Sequence, residues 1–157
     1  MHHFIIRAVG SAHEPWHPQA IHSYEQRLRP YAKIEIQEFP EGHQGSAHPD
    51  SRKTRSLEAD ALLKKLPASC TIIALDETGS NPDSPSFARQ IDQWSEGGRP
   101  VVFLIGGSWG LDTRVKDQAH ALISLGKQTL PHFLARIVLL EQLYRAETIL
   151  GGKTYHK

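Results

Sequence analysis

The chain has 157 residues, of which 18 are basic and 17 acidic, and only one is a cysteine. This length predicts one domain with its own hydrophobic core, and the balanced charge excludes a protein that grips nucleic acid by bulk positive charge alone. A lone cysteine and the lack of any apolar run near the roughly 20 residues of a membrane span favour a cytoplasmic protein without membrane segments.

Strand-like apolar runs alternate with helical periodicity along the whole chain. The predicted strands cover residues 4–9, 34–39, 71–75, 101–105 and 121–125. The predicted helices cover residues 19–28, 57–66, a segment capped by Ser84 with Pro85 at its first position, a segment capped by Asp112, and residues 132–150. This order predicts an α/β fold: a single domain over residues 1–157, with a mostly parallel sheet and helices on both faces.

Glycines cluster at the predicted carboxyl ends of the strands, where open α/β sheets bind their ligands. Gly10, Gly79 and the segment 106–110 occupy these places, and residues 40–50 form a polar loop rich in glycine and proline. Glycine lets a ligand approach the backbone closely, so we expect a small-molecule site there. The alternative is that these glycines only turn the chain.

The segment Gly-Gly-Ser-Trp-Gly at residues 106–110 also matches the G-x-S-x-G pattern of serine hydrolases. Ser108 would be the nucleophile, and an aspartate and a histidine follow it in the usual triad order. However, the capping signal at Asp112 starts the next helix four residues after the serine, which indicates a loop rather than a sharp elbow. A small serine hydrolase using Ser108 is therefore kept only as an alternative.

Other glycine and metal motifs are missing from the sequence. No G-x-G-x-x-G follows the first strand and no Gly-Lys-Ser/Thr occurs, which disfavours a dinucleotide or a nucleoside triphosphate as ligand. The ten histidines form neither H-E-x-x-H nor a Cys/His cluster, so we expect no metal site.

The C-terminal third carries a long ordered motif. It consists of Thr129-Leu130-Pro131-His132, Arg136, Leu140-Glu141-Gln142, Tyr144-Arg145-Ala146 and the terminal Tyr155-His156-Lys157. Together with the earlier stretches IIRAVG, IIALDETG and LIGGSWGL, this motif resembles the RlmH (YbeA) family of SPOUT-class methyltransferases along essentially the whole chain. The resemblance implies a SPOUT-type fold with a trefoil knot in the C-terminal half, which periodicity alone would not suggest.

The same resemblance implies a function and a set of partners. Family members are homodimers that transfer a methyl group from S-adenosyl-L-methionine to N3 of a pseudouridine in 23S ribosomal RNA, and the resemblance implies that the transfer takes place within the ribosome. Carried over to this sequence, the cofactor-binding residues are Leu75, Gly106, Gly107, Gly110, Leu125, Gly126, Lys127, Gln128, Thr129 and Leu130. A non-catalytic dimer that binds RNA or the ribosome is the second alternative.

Methylation of an imide nitrogen requires its proton to leave, so the site needs a base or a group that stabilises an anion. The resemblance points to the C-terminal motif: His156 can accept a proton near neutral pH, and Arg145 can stabilise the developing anion. Tyr155 would stack on the target base or dock the tail. Arg145 also lies four residues after Glu141, so a simple ion pair along the helix is the competing interpretation.

Two surface features bear on assembly and on RNA. The helix at 132–150 is apolar on more than one stripe, so we expect part of it, including Leu140 and Leu143, to form a dimer interface. Arg52, Lys53 and Arg55 form a basic cluster that would contact RNA or simply be a solvated face.

Overall fold

A computed structural model of the chain describes residues 1–11, 13–43 and 45–155. Five parallel strands form one sheet: β1 (His2–Val9), β2 (Ala32–Phe39), β3 (Thr71–Ser80), β4 (Val101–Ile105) and β5 (Ala121–Ile123). Their order across the sheet is β2-β1-β4-β3-β5. Five α-helices lie in the described residues: α1 (Trp16–Leu28), α2 (Ser51–Leu63), α3 (Ser84–Trp94), α4 (Thr113–Gln118) and α5 (His132–Leu150).

The two faces of the sheet carry different helices, and successive side chains of strand β1 belong to different faces. Phe4 and Ile6 belong to a core with residues of α1, α3 and α5, whereas Ile5 and Val9 belong to a second core with residues of α2 and α4. Successive side chains of a strand point to opposite faces, so each face of the sheet has its own buried layer. The prediction of a parallel α/β sheet covered on both faces is confirmed, while the trefoil knot stays a prediction.

Several of the predicted segments differ from the structure at their ends. Strand β3 continues to Ser80 and so contains Gly79, where a Cβ atom would lie 2.5 Å from the carbonyl carbon of Leu122 on β5. Helix α2 begins at Ser51, well before the predicted residue 57, because Asp50 accepts hydrogen bonds from the amides of two residues in its first turn. Strand β5 ends at Ile123 rather than residue 125.

Helix α3 is also capped differently from the prediction. Asp83 rather than Ser84 is its N-cap, because the Asp83 carboxylate accepts a hydrogen bond from the amide of Ser86 at 2.8 Å. Ser84 is the first helical residue instead, and Pro85 follows it. The cap predicted at Asp112 is confirmed, since its carboxylate accepts a hydrogen bond from the amide of Arg114 at 2.9 Å.

The apolar residues of α5 are buried in places that differ from the prediction. Leu140 and Leu143 are fully buried within the chain, in the core shared with α1 and α3, so the expectation that they face a second copy is wrong. The reason is that helices α1 and α3 both pack against α5, which buries more than one of its stripes. Leu134 and Val138 are only half-buried and belong to neither core.

The described residues offer neither a membrane-spanning helix nor a metal-binding cluster. None of the helices in ranges 1–11, 13–43 and 45–155 is long and apolar enough to cross a membrane. Within the same ranges, no group of three or more histidine, cysteine or acidic side chains is arranged to hold a metal ion.

Candidate functional site

A cleft of about 910 Å³ opens at the carboxyl ends of β3, β4 and β5. Three segments line most of it: the end of β3 at residues 75–77, the glycine-rich loop at 105–111, and the stretch 123–135 that leads into α5. All of the predicted cofactor residues line this cleft except Lys127, whose side chain is exposed outside it. The structure therefore brings together three segments that are far apart in sequence.

The glycine-rich loop is a tight turn that holds two side chains at its tip. The amide of Gly110 donates to the carbonyl of Gly107 at 3.1 Å, and Gly110 has a φ of 75°, a left-handed conformation that favours glycine. A Cβ atom on Gly106 would lie 2.8 Å from the carbonyl carbon of Gly110, so the loop can close only without a side chain there. Ser108 and Trp109 are left exposed on the cleft side.

This turn does not have the geometry of a nucleophile elbow. Helix α4 begins at Thr113, after the turn has closed, and not directly after Ser108. Among the described residues, no histidine forms a hydrogen bond with the Ser108 hydroxyl. The base that would activate Ser108 is therefore not in place, and the geometry gives the hydrolase alternative no support.

The loop at 124–126 is held by polar contacts that the sequence did not indicate. The Ser124 hydroxyl donates to the carbonyl of Gly126 at 2.8 Å, and Asn81 Nδ2 donates to the carbonyl of Ser124 at 2.8 Å. The amide of Ser124 also donates to the carbonyl of Ser80, which continues the pairing of β5 with β3. This wall of the cleft is thus fixed by β3 before any ligand arrives.

A charged pair lies at one side of the cleft. Lys116 Nζ lies 2.8 Å from Asp76 Oδ2, and the Asp76 carboxylate also accepts a hydrogen bond from the amide of Thr78. Burial opposes ionisation of Asp76, but the hydrogen bonds from Lys116 and Thr78 outweigh that effect and lower its pKa. Asp76 is therefore an ionised acceptor at neutral pH.

A buried carboxylate supports the glycine-rich loop from behind. Glu58 of α2 is 3% exposed, and its Oε1 accepts a hydrogen bond from the amide of Gly42 at 3.0 Å. Its other oxygen has no hydrogen-bond partner among the described residues, and a Cβ on Gly107 would lie 3.1 Å from Oε1. Burial raises the pKa of Glu58, an effect only partly offset by the amide of Gly42.

The catalytic residues expected from the C-terminal motif lie away from this cleft. Arg145 is 13 residues after His132, so it is about 20 Å along α5 from the helix end that lines the cleft. Arg145 Nη2 donates to Glu141 at 2.5 Å, which confirms the ion pair along the helix, and the guanidinium lies 4.8 Å from the Tyr155 ring centroid. Tyr155 packs on Tyr144, while His156 lies outside the described residues.

One member of the predicted basic cluster reaches the cleft. Arg55 of α2 lines it, whereas Arg52 and Lys53 do not. The cleft thus has a cation at its edge in addition to the Lys116 that pairs with Asp76.

Comparison with known proteins agrees with this arrangement. A family model described as "Predicted SPOUT methyltransferase" matches residues 1–156. A protein of Anaeromyxobacter sp. (strain Fw109-5) named "Ribosomal RNA large subunit methyltransferase H" is 46% identical over 152 residues, which cover 97% of each chain. A protein with the same name from Acidiphilium cryptum (strain JF-5) is 43% identical, in a match that covers 97% of this chain and 93% of that protein. Another, from Ralstonia pickettii (strain 12J), is 37% identical, in a match that covers 98% of this chain and 97% of that protein. By its fold and by this full-length match, the chain belongs to the SPOUT methyltransferase family.

Proposed function

We propose that this protein methylates ribosomal RNA of the large subunit, taking the methyl group from S-adenosyl-L-methionine and transferring it to N3 of a pseudouridine in 23S RNA. The single observation that carries the proposal is the cleft at the carboxyl ends of β3, β4 and β5, formed in a chain that matches relatives named for this activity over its whole length. An enzyme that acts on ribosomal RNA would work in the cytoplasm, which is therefore the location that we propose.

The lining of the cleft fits this methyl donor. Leu75, Leu125 and Leu130 provide apolar walls for an adenine ring, while Gly110 and Gly126, where nothing lies within 4 Å of a Cβ position, leave the backbone open to close approach. The ionised Asp76 is suited to accept hydrogen bonds from hydroxyl groups. When bound, S-adenosyl-L-methionine supplies an electrophilic methyl group.

A homodimer would solve the separation between the cleft and the C-terminal motif. Arg145 is about 20 Å along α5 from the cleft of its own chain, so it can act there only if a second copy presents it. Leu134 and Val138 form an apolar strip near the cleft end of α5 that this chain leaves half-buried, which suits a contact with that copy. In such a dimer Arg145 and Tyr155 of one protomer, together with His156, would meet the RNA held at the cleft of its partner.

RNA would approach the cleft across α2. Arg55 lines the cleft edge and its neighbours Arg52 and Lys53 extend the positive charge, which suits contacts with phosphate groups. This small cluster fits recognition of a folded RNA surface better than general strand binding.

Complementation between two inactive variants tests the proposal. Arg145→Met keeps the cleft intact, and Gly106→Val keeps the C-terminal motif but displaces the loop that lines the cleft, because its side chain would meet the backbone of Gly110. Large subunits without the modification are the substrate, and mass spectrometry of the nucleosides detects the product. If a site combines the cleft of one protomer with Arg145 of the other, an equal mixture regains about a quarter of wild-type activity, since half of the dimers hold one intact site of two.

The outcomes separate the alternatives. No activity in the mixture, with each variant inactive alone, would contradict the shared site but leave methyl transfer by the wild type. Wild-type protein that binds S-adenosyl-L-methionine and ribosomes without transfer would favour the non-catalytic dimer instead. Esterase activity that Ser108→Ala abolishes would favour the hydrolase.

A further inference from the structure

We propose that His132, at the cleft end of α5, accepts the N3 proton of the target base. This inference rests on the proposed function and identifies the base within the cleft rather than in the C-terminal motif.

The position of His132 is fixed by the fold. It is the first residue of α5 and lines the cleft immediately after the predicted cofactor residues Thr129 and Leu130. A Cβ atom on Gly10 would lie 2.7 Å from His132 Nε2, so the imidazole rests directly against the backbone that follows β1. On the other side the ring meets Phe133 edge to face at 5.9 Å between centroids.

The ring nitrogens are available to a ligand. In the described part of the chain neither nitrogen of His132 takes part in a hydrogen bond, and neither is sealed in the core as both nitrogens of His17 are. By contrast, His120 already accepts a hydrogen bond from the amide of Ile72, and His2 is engaged with Glu147. The imidazole of His132 therefore has free polar atoms beside the cleft.

The surroundings of His132 favour its neutral form. Burial lowers the pKa of His132, and Arg136 of the same helix, His13 before α1 and His17 within α1 act in the same direction. Glu41, in the loop after β2, opposes them without overcoming them. The helix N-terminus adds a partial positive charge that also disfavours a protonated ring. A neutral imidazole can accept a proton, whereas an imidazolium cannot.

The other possible acceptors in the cleft are less suited to the task. Among the described residues that line it, Asp76 and Glu77 are the carboxylates. Asp76 is engaged by Lys116 and Thr78, which lower its pKa and so weaken it as a base. Glu77 is exposed to solvent, and a carboxylate is in general a weaker base than an imidazole.

The proposed step balances in atoms and charge. The N3–H bond breaks, its proton passes to a ring nitrogen of His132, and its electron pair stays on N3. That pair forms the new bond to the methyl carbon, while the bond between this carbon and the sulfonium sulfur breaks and leaves its electrons on sulfur. The products are the N3-methyl base, a neutral thioether and an imidazolium that later releases its proton to water.

Single-turnover methylation of unmodified large subunits by His132→Asn tests the inference. We expect a rate at least about a hundredfold below wild type, as for loss of a general base, with unchanged affinity for S-adenosyl-L-methionine and for the subunit. The wild-type rate should rise with pH as the imidazole of His132 loses its proton, and this rise should be centred below the ordinary pKa of histidine. The rate of the His132→Asn variant should not show this rise. Free imidazole should restore part of the rate to His132→Gly, which a structural role would not allow.

Two controls and a measurement without turnover accompany this test. His22→Asn, at an exposed histidine of α1, should behave as wild type. Nuclear magnetic resonance titration of the protein without cofactor, assigned with His132→Asn, should find a neutral imidazole at pH 7.

Several results would overturn the inference. A wild-type rate in His132→Asn would do so, as would loss of cofactor binding by that variant. A rise of the rate with pH that persists in His132→Asn but vanishes in His156→Asn would assign the base to His156. A protonated imidazole of His132 at pH 7 would also contradict the inference. Wild-type protein that transfers no methyl group would overturn the proposed function and the inference with it.

Discussion

Arg136 of α5 and Glu38 of β2 form an ion pair in which the guanidinium is completely buried. Arg136 Nη2 also donates to the carbonyl of Gly10 at 3.1 Å, so a single side chain connects α5 to the ends of two neighbouring strands. This connection holds the helix end that lines the cleft.

Removal of the Glu38 carboxylate should destabilise the folded chain. Glu38→Ala leaves the buried charge of Arg136 without its carboxylate partner, and since Glu38 itself is 38% exposed we expect a loss of about 2 kcal/mol in the free energy of unfolding by urea, less than for a fully buried pair. The matched control is Glu35→Ala on the same strand, where partly exposed pairs with Lys33 and His3 should contribute less than about 1 kcal/mol. Similar losses in both variants would contradict a special role for the ion pair with the buried Arg136.

The glycine-rich loop should tolerate change at its serine but not at its first glycine. Gly106→Val should abolish the calorimetric signal for S-adenosyl-L-methionine, because even a Cβ atom would lie 2.8 Å from the backbone of Gly110. Ser108→Ala, at the exposed tip of the same turn, should leave the affinity unchanged. Covalent labelling of Ser108 by a fluorophosphonate would instead indicate a nucleophile.

Glu58 should make stability depend on pH in a defined direction. Burial raises its pKa in the folded chain, so its contribution to stability is complete below the pKa of the unfolded chain and is lost as pH rises through the folded value. Glu58→Gln carries no charge, so its stability relative to wild type should increase between about pH 4 and pH 7. Glu96→Gln, at an exposed position, is the control. A constant difference across this range would contradict the prediction.

The half-buried strip of α5 should control assembly. Leu134→Asp and Val138→Asp should give folded monomers in analytical ultracentrifugation, since each would place an unpaired charge in the proposed dimer contact. Leu140→Asp should unfold the chain instead, because that leucine is completely buried in the core of a single protomer. Dimers that persist in both surface variants would locate the contact elsewhere.

The sequence predicted the cleft more completely than the residues that support it. The predicted cofactor-binding segments are short, and each follows a strand, so a parallel sheet must bring them to one edge. All of the predicted cofactor-binding residues except Lys127 line the cleft. Glu58, Asn81 and Arg136 support this cleft through single contacts with distant parts of the chain. No local pattern marks such a residue, since its partner is decided only when the helices pack.

By itself the sequence determined the order of strands and helices and the parallel sheet, because periodicity, caps and glycine positions act locally and persist in any packing. The family followed from the resemblance that the C-terminal motif carries. Tertiary structure alone decided which side chains of α5 are core. The apolar residues of that helix look alike in sequence, yet Leu140 and Leu143 are buried by two neighbouring helices while Leu134 is not. It also decided that the cleft lies at the His132 end of α5, so that Arg145, 13 residues further along the helix, is about 20 Å from the cleft of its own chain.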